Sequence, residues 1–440
     1  MEQAVDISRA RRRSSAAPSH ALRSGGKRHV LILSLNGFPP RNAEAIVSAK
    51  VAIAMKRAGW TVDFVTNPNR CKWYPSEAET WSELQDSVHI VEDARPSLTS
   101  KFTNAIRGMA AVGRLLRNLS EPLSFRDACS TLIRRQRPDA IISRCYPISA
   151  HLAGLMLHKQ TGIPWIANWD DPIPGPKFPP PYGNGPNASI SRFYRASLGL
   201  IGPACPWHTF PADGLRRYMA SYVPGNILER SSVIPHVALS TLHKAPQQTG
   251  KLTVLHAGYL RPPRDPKPLL KGFAQFASSL SNRDQLRLVF VVDSSEDIGA
   301  LANSYGIGDL VAIHPTKPYG KMADEFSTAD VLAVVEAPVA EGIFLPSKFV
   351  DYVQSGRAIL ALSPLKGTLN TYLSQSGGGL AVDGQSPDAV ADALQKFYRT
   401  WQCGTLETTY GSSHLMTHFN EDAVLGSYET IIQRLTSRRQ

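Results

Sequence analysis

The chain has 440 residues, 42% of them hydrophobic and 19% charged, a composition that fits two ordinary globular domains and excludes a disordered chain. No apolar run reaches the ~18–20 residues of a membrane span and the N-terminus has no apolar signal core, so the expected location is cytoplasmic. A net charge of +12 points to an anionic partner, and without basic and aromatic interleaving or a known binding module that partner is a phosphorylated substrate or a lipid surface rather than nucleic acid.

Residues 1–27 carry Arg9, Arg11, Arg12, Arg13, Arg23 and Lys27 against Glu2 and Asp6. They read as a disordered basic tail, either merely solubilising or making transient peripheral contact with anionic lipid at the inner face of the membrane. His29 to Leu35 (HVLILSL) is a strand buried on both faces, followed by the loop NGFPPR, a helix from about Asn42 to Ala58 stopped by Gly59, and a strand from Thr61 to Val65. That order is one right-handed βαβ unit. Thr66 to Pro96 is loop-rich, with Trp73, Tyr74 and Trp81, and two helices are expected within Ser97 to Arg137, with Arg107, Arg114, Arg117, Arg134, Arg135 and Arg137 on basic faces. Asp139 to Ser143 is the next strand, and a helix from about Ser149 puts His151 in its first turn, beside the carboxyl end of that strand. Ile163 to Pro172 (IPWIANWDDP) is a strand delivering Asp170 and Asp171 at its end. The Pro- and Gly-rich segment Pro172 to Pro186 is a long loop, a lid or a surface excursion. Leu198 to Ile201 and Ser232 to Ile234 read as the last strands of the first domain, 28–240, and His236 in the following turn reads as structural. The polar linker Thr241 to Lys251 marks the boundary.

The alternation then restarts over 252–410, with strands at Leu252 to His256, Arg287 to Val292, Val311 to Ile313, Val331 to Val335, Ala358 to Leu362 and Gly379 to Val382. Gly377 to Gly379 is a turn before the last of them. Residues 411–440 contain a final helix, about Glu421 to Leu435. Five scattered cysteines without a Cys-x-x-Cys pair predict reduced thiols and no structural metal, and His414 and His418 lack a third ligand. The fold class is α/β, two doubly wound parallel sheets, and ligands of such sheets bind beyond the carboxyl ends of the strands. The stretch from Val331 to Pro364 therefore organises the chain: a buried strand, an acidic loop with Glu336 and Glu341, a helix opening at Pro346-Ser347-Lys348, a stop at Gly356 and a second apolar strand. Backbone N–H groups at that helix start, the Lys348 ammonium and the Asp351 carboxylate one turn on would offer phosphate donors and a hydroxyl acceptor to one ligand.

The run PSKFVDYVQSGRAIL resembles the donor-binding signature of the retaining glycosyltransferases of family 4, which have the GT-B fold. The segment HAGYLRPPRDPKPLL is similar to that family's G-x-x-Y-x-x-R-x-P-x-x-L-L, and IPWIANWDDP resembles its W-I-A-x-x-x-D-P-W. The resemblance implies a first domain for the acceptor, a second for the nucleotide sugar, and a last helix returning to the first. It carries the ribose contact to Asp351, close diphosphate approach to Gly258, and phosphate pairing to Arg264, Lys348 and the helix start at Ser347, with Lys267 a further cation. Contact with the transferred sugar is carried to His151 and to an acid of the 336–346 loop, for which Glu341 is the candidate. The family's first glutamate would fall near Ile343. On the acceptor side it implies Phe38, Arg41 and Asp171, Arg41 standing where the family has glycines; Trp73, Tyr74 and Trp81 line an acceptor groove or form a packed surface cluster.

The implied activity is transfer of a sugar from a nucleoside diphosphate to a carbohydrate or lipid-linked acceptor with retention, as in polysaccharide or glycoconjugate synthesis, and with no metal or other cofactor. A sugar-nucleotide epimerase of the same fold and a non-catalytic nucleotide-sugar-binding subunit are the alternatives. The adjacent Asp170 and Asp171 favour a metal site less, because neighbouring strand residues point to opposite faces.

Overall fold

A computed structural model describes residues 28–68, 79–92, 110–239, 243–247, 249–294 and 297–437. The basic tail, Trp73, Tyr74 and Arg107, and the side chains of Arg114 and Arg117, lie outside what is described. The first sheet is built from β1 (His29–Ser34), β2 (Thr61–Thr66), β3 (Val88–Ile90), β4 (Ala140–Cys145), β5 (Trp165–Trp169), β6 (Trp207–Phe210) and β7 (Ser231–Val233). Its order is β3-β2-β1-β4-β5-β6-β7, with every adjacent pair parallel. The second contains β8 (Leu252–Leu260), β9 (Leu286–Ser294), β10 (Val311–His314), β11 (Val331–Val335), β12 (Ala358–Ser363) and β13 (Gly379–Asp383), in the order β10-β9-β8-β11-β12-β13, again parallel. Chain direction across the sheet reverses between β1 and β4 in one domain and between β8 and β11 in the other. Those two switch points are where loops diverge and leave room for a ligand.

The continuous apolar runs follow from helices covering both sheet faces. Val30, Leu31, Ile32 and Leu33 are all fully buried, as are Leu332, Ala333 and Val331 on β11. Helix α1 (Ala43–Arg57) starts where the Asn42 side chain accepts from the Ala45 N–H at 2.8 Å, satisfying one of the free donors of its first turn. It is buried on nearly every side, Lys50 included.

Leu198 to Ile201 is not a strand. It lies in the helix Arg192–Ala204, whose N-cap is Ser191, and Leu198 and Ile201 face the core three residues apart while Leu200 is exposed. A four-residue apolar run fits either period, and here the cap and the i, i+3 burial decide. The strand that pairs with β5 is instead β6, at Trp207–Phe210. Between Ser97 and Arg137 the described residues hold one helix, Ala110–Arg135, which continues through Pro122 and packs Phe125, Cys129 and Ile133 into the first core.

The last helix, Glu421–Ser437, buries Val424, Tyr428, Ile431, Ile432 and Leu435 in one cluster with Val30, Ile32 and Ala52. Glu429 on it accepts from the Arg28 guanidinium, 401 residues away in sequence, at 2.5 and 3.0 Å. Among the described residues no helix is long and apolar enough to cross a membrane.

Candidate functional site

A cavity of about 530 Å³ opens between the two sheets at their switch points. Its second-domain wall is made by Ala257, Gly258, Arg264, Glu336, Pro346, Ser347, Lys348 and Asp351, and its first-domain wall by Arg41, Glu44, Asp170, Asp171 and His236.

On the second-domain side the geometry starts from a glycine. Gly258 has φ +110°, and a Cβ there would come within 2.9 Å of Lys348 Nζ. Both facts demand glycine, the first by backbone sterics and the second by the space the ammonium occupies. Lys348 Nζ donates to the Ala257 carbonyl at 2.9 Å, so the lysine lies across the carboxyl-terminal half of β8. Burial lowers its pKa to about 7, Arg264 pushes in the same direction and Glu336 opposes them. Glu336 moves the other way, raised to about 7 by burial against the pull of Arg264 and Lys348. Near neutrality the cavity therefore holds a permanent cation, Arg264, beside two groups that titrate together. Arg264 lies over the Tyr182 ring, 5.7 Å from its centroid. The helix Ser347–Ser355 starts after Pro346 with no side-chain cap, leaving its first N–H groups on the cavity wall.

That helix is anchored at three successive points. The Tyr352 hydroxyl accepts from the Ala257 N–H at 2.9 Å, Gln354 Oε1 accepts from Leu239 N–H at 2.9 Å, and Asp351 Oδ1 pairs with Lys50 Nζ at 2.8 Å. Gly258, Arg264, Ser347, Lys348 and Asp351 are thus brought together. Lys267 is not with them: it opens the helix Lys267–Ser278, its N–H donates to Asp265 Oδ1, and its side chain is no part of the cavity wall.

Two sequence candidates for sugar contact sit elsewhere. His151 is fully buried; its Nδ1 is 2.7 Å from Ser143 Oγ and its ring meets Trp169 edge-on at 4.1 Å. The helix Ser149–Thr161 covers a face of the sheet, so its first turn turns His151 onto β4 and β5 instead of past their ends, and burial drives its pKa well below the usual value. Glu341 is turned away from the cavity, pairing with Lys366 at 2.7 Å and Arg217 at 3.5 Å, with its pKa lowered chiefly by Lys366. The bridge between Gly342 and Gly367 fixes that direction, and Ile343 is buried against Gly214. The loop acid that does line the cavity is Glu336.

On the first-domain side, Arg41 and Asp171 line the cavity. Phe38 does not, since it bridges to Pro68 and packs on the first core. Asp170 is held by Arg144 Nη2 at 3.1 and 3.2 Å and by Asn168 at 2.8 Å, which removes it as an open ligand. The Asp171 carboxyl is pushed well above the carboxylate range by burial and then by Glu44 and Asp170.

Sequence reasoning missed four contributors. Glu44 follows the Asn42 cap, a position where an acid usually only complements the helix start. His236, read as structural, lines the cavity, its pKa lowered to about 3 by burial. Phe178 and Tyr182, on the Pro-rich loop, meet Phe344 of the second domain at 6.1 and 5.9 Å, so the loop spans the mouth of the cleft. Its Pro and Gly content was the available signal, while the aromatic partner across the cleft is invisible in sequence.

No protein-family model and no curated relative matches the chain. Solved structures do. The chain is similar to a sucrose-phosphate synthase from Thermosynechococcus elongatus, with TM-score 0.62 and 15% identity over 94% of this chain and 100% of that one. It is similar to HepE from Anabaena in complex with UDP and glucose, with TM-score 0.62 and 12% identity over 93% and 99%. A glycosyltransferase from Rickettsia africae aligns with TM-score 0.63 and 9% identity over 94% and 99%. Near-complete coverage of both chains, with two parallel sheets flanking one cleft, shows that the protein has the GT-B fold.

Proposed function

We propose that the protein is a glycosyltransferase that moves a sugar from a nucleoside diphosphate to an acceptor hydroxyl, with retained configuration at the anomeric carbon and without a metal. The observation that carries this reading is the Arg264 and Lys348 pair beside Gly258 and an uncapped helix start, at a sheet switch point. HepE has been solved with UDP and with UDP-glucose, which makes uridine nucleotides the first donors to try.

In the proposed step the bond from the sugar C1 to the β-phosphate oxygen breaks while C1 bonds the acceptor oxygen on the same face. The acceptor proton passes to the departing phosphate. Arg264 and Lys348 take up the charge that develops on that phosphate, the role a metal fills in other transferases. Asp351 accepts from the ribose, and Glu336 stands as the loop acid nearest the transferred sugar. Arg41, Asp171 and Glu44 face the acceptor, a carbohydrate or lipid-linked glycan of polysaccharide or glycoconjugate synthesis. The enzyme would work in the cytoplasm, the basic residues before His29 touching an anionic membrane.

Thermal stabilisation by a panel of nucleoside diphosphates and their sugars, without metal, tests the donor site. A rise in melting temperature with one nucleotide family, lost in Arg264→Ala and Asp351→Ala, is the expected result; no shift with any nucleotide would overturn the reading. Gly258→Ala is expected to weaken the selected nucleotide by about tenfold, because it strains a positive φ and displaces the Lys348 ammonium. Titration calorimetry would show it, and unchanged affinity would mean that the diphosphate lies elsewhere. Turnover is then checked by release of the nucleoside diphosphate from the sugar donor on adding acceptor glycans.

A further inference from the structure

The carboxylate expected to meet the nucleotide ribose is held from the other domain. Lys50, on α1 of the first domain and only 1% exposed, pairs with Asp351 Oδ1 at 2.8 Å. The Tyr319 hydroxyl donates to the same oxygen at 2.8 Å. Tyr319 is stacked on Trp81 of the first domain at 5.4 Å, and Lys50 Nζ lies 5.8 Å from the Tyr319 ring, so the ammonium, the phenol and the indole form one unit across the domain seam. Among the described residues nothing donates to the second oxygen, Oδ2, and the Asp351 side chain is part of the cavity wall.

A carboxylate free to rotate can offer either oxygen to a diol; one clamped through Oδ1 by two donors offers the other in a fixed direction. The clamp here depends on where the first domain stands, since Lys50 and Asp351 are 301 residues apart and sit on helices of different domains. We propose that Lys50 is a positioning residue of the donor site: acting through Asp351, it makes recognition of the nucleotide ribose conditional on the two domains being closed. This rests on the nucleotide-sugar reading above. By reciprocity, a nucleotide that uses Oδ2 favours the domain arrangement in which Lys50 reaches Oδ1.

The test is calorimetric affinity for three ligands, the nucleoside diphosphate selected by the panel and its 2′-deoxy and 3′-deoxy forms, in the full-length protein and its Lys50→Met, Asp351→Asn and doubly substituted variants. The wild type is expected to prefer the ribonucleotide by about tenfold over at least one deoxy form, as for one lost hydrogen bond to a charged group. Lys50→Met should erase most of that preference while changing the affinity of the disfavoured deoxy form by less than about twofold, and the double variant should match Asp351→Asn alone. If Lys50→Met does not fold, Tyr319→Phe, which removes the other donor to Oδ1, should reduce the same preference. Equal weakening of all three ligands, or an unchanged preference, would overturn the proposal by showing that Lys50 only supports the fold. A wild type that binds nucleotides without ribose preference would defeat this inference and leave the donor site standing; one that binds none would defeat both.

Discussion

Replacing Lys348 by methionine is expected to lower kcat/KM for the sugar donor by about 10²–10³-fold, the usual cost of removing one group aimed at developing transition-state charge. Arg264 remains in that variant, so donor binding should fall less than kcat. The wild type should also carry a pH signature. With the Lys348 pKa depressed to about 7 in the empty cavity, a diphosphate binds its protonated form best and raises that pKa on binding. Affinity is then full below pH 7 and declines above it, by up to about tenfold per unit, until the pKa of the complex is passed. Glu336, raised to about 7, acts with the same sign, because above that pH it adds a negative charge beside the phosphates. The measurement should use a nucleotide sugar rather than a free diphosphate, whose terminal phosphate would itself titrate near pH 6. Affinity that is flat from pH 6 to 9, or a slope that survives both Lys348→Met and Glu336→Gln, would disprove the assignment.

Arg144→Met is expected to cost about 3–5 kcal/mol in urea-induced unfolding, the usual loss when one member of a buried ion pair is removed. Arg144 is 2% exposed and joins three parts of the first domain: Nε donates to Ser48 Oγ at 2.8 Å, Nη1 reaches the Tyr428 hydroxyl at 3.4 Å and Nη2 holds Asp170. Even with this partner, burial raises the Asp170 pKa. Without it the carboxyl would be left neutral or uncompensated next to Asp171 and Glu44. Adding Asp170→Asn should recover part of the loss, and a single-variant loss below about 1 kcal/mol would mean that the cavity hydrates the acid instead.

The two-sheet fold was legible because apolar runs such as VLIL on β1 and VLAVV on β11 recur between helical stretches and loops, and that repeated alternation, not any one run, points to parallel sheets. Lys348 and Asp351 were legible on the cavity wall because each sits at a fixed offset from a helix start, and Gly258 only through the resemblance of its segment to a family motif. What failed was direction around an axis. His151 stands at the expected level along the sheet but is rotated into the tryptophans, and Glu341 is turned out by a two-residue bridge that no periodicity encodes. The Lys50 and Asp351 pair and the Phe178, Tyr182 and Phe344 cluster were out of reach for a different reason, since each joins residues from separate domains. The four-residue run at Leu198 was too short for its period to be read.

The helix Glu421–Ser437 completes the core of the first domain although it follows the whole of the second in sequence. On the ribosome, β1 to β7 must therefore wait with an open apolar groove, where Val424, Tyr428 and Ile432 will later lie, until the final helix emerges. The second domain waits less, because its two cores reach to Leu406 on one face and to Leu415 and Phe419 on the other, all of them ahead of the final helix. The half of the protein made first is thus the half finished last, and the interval between is when it would be most in need of a chaperone.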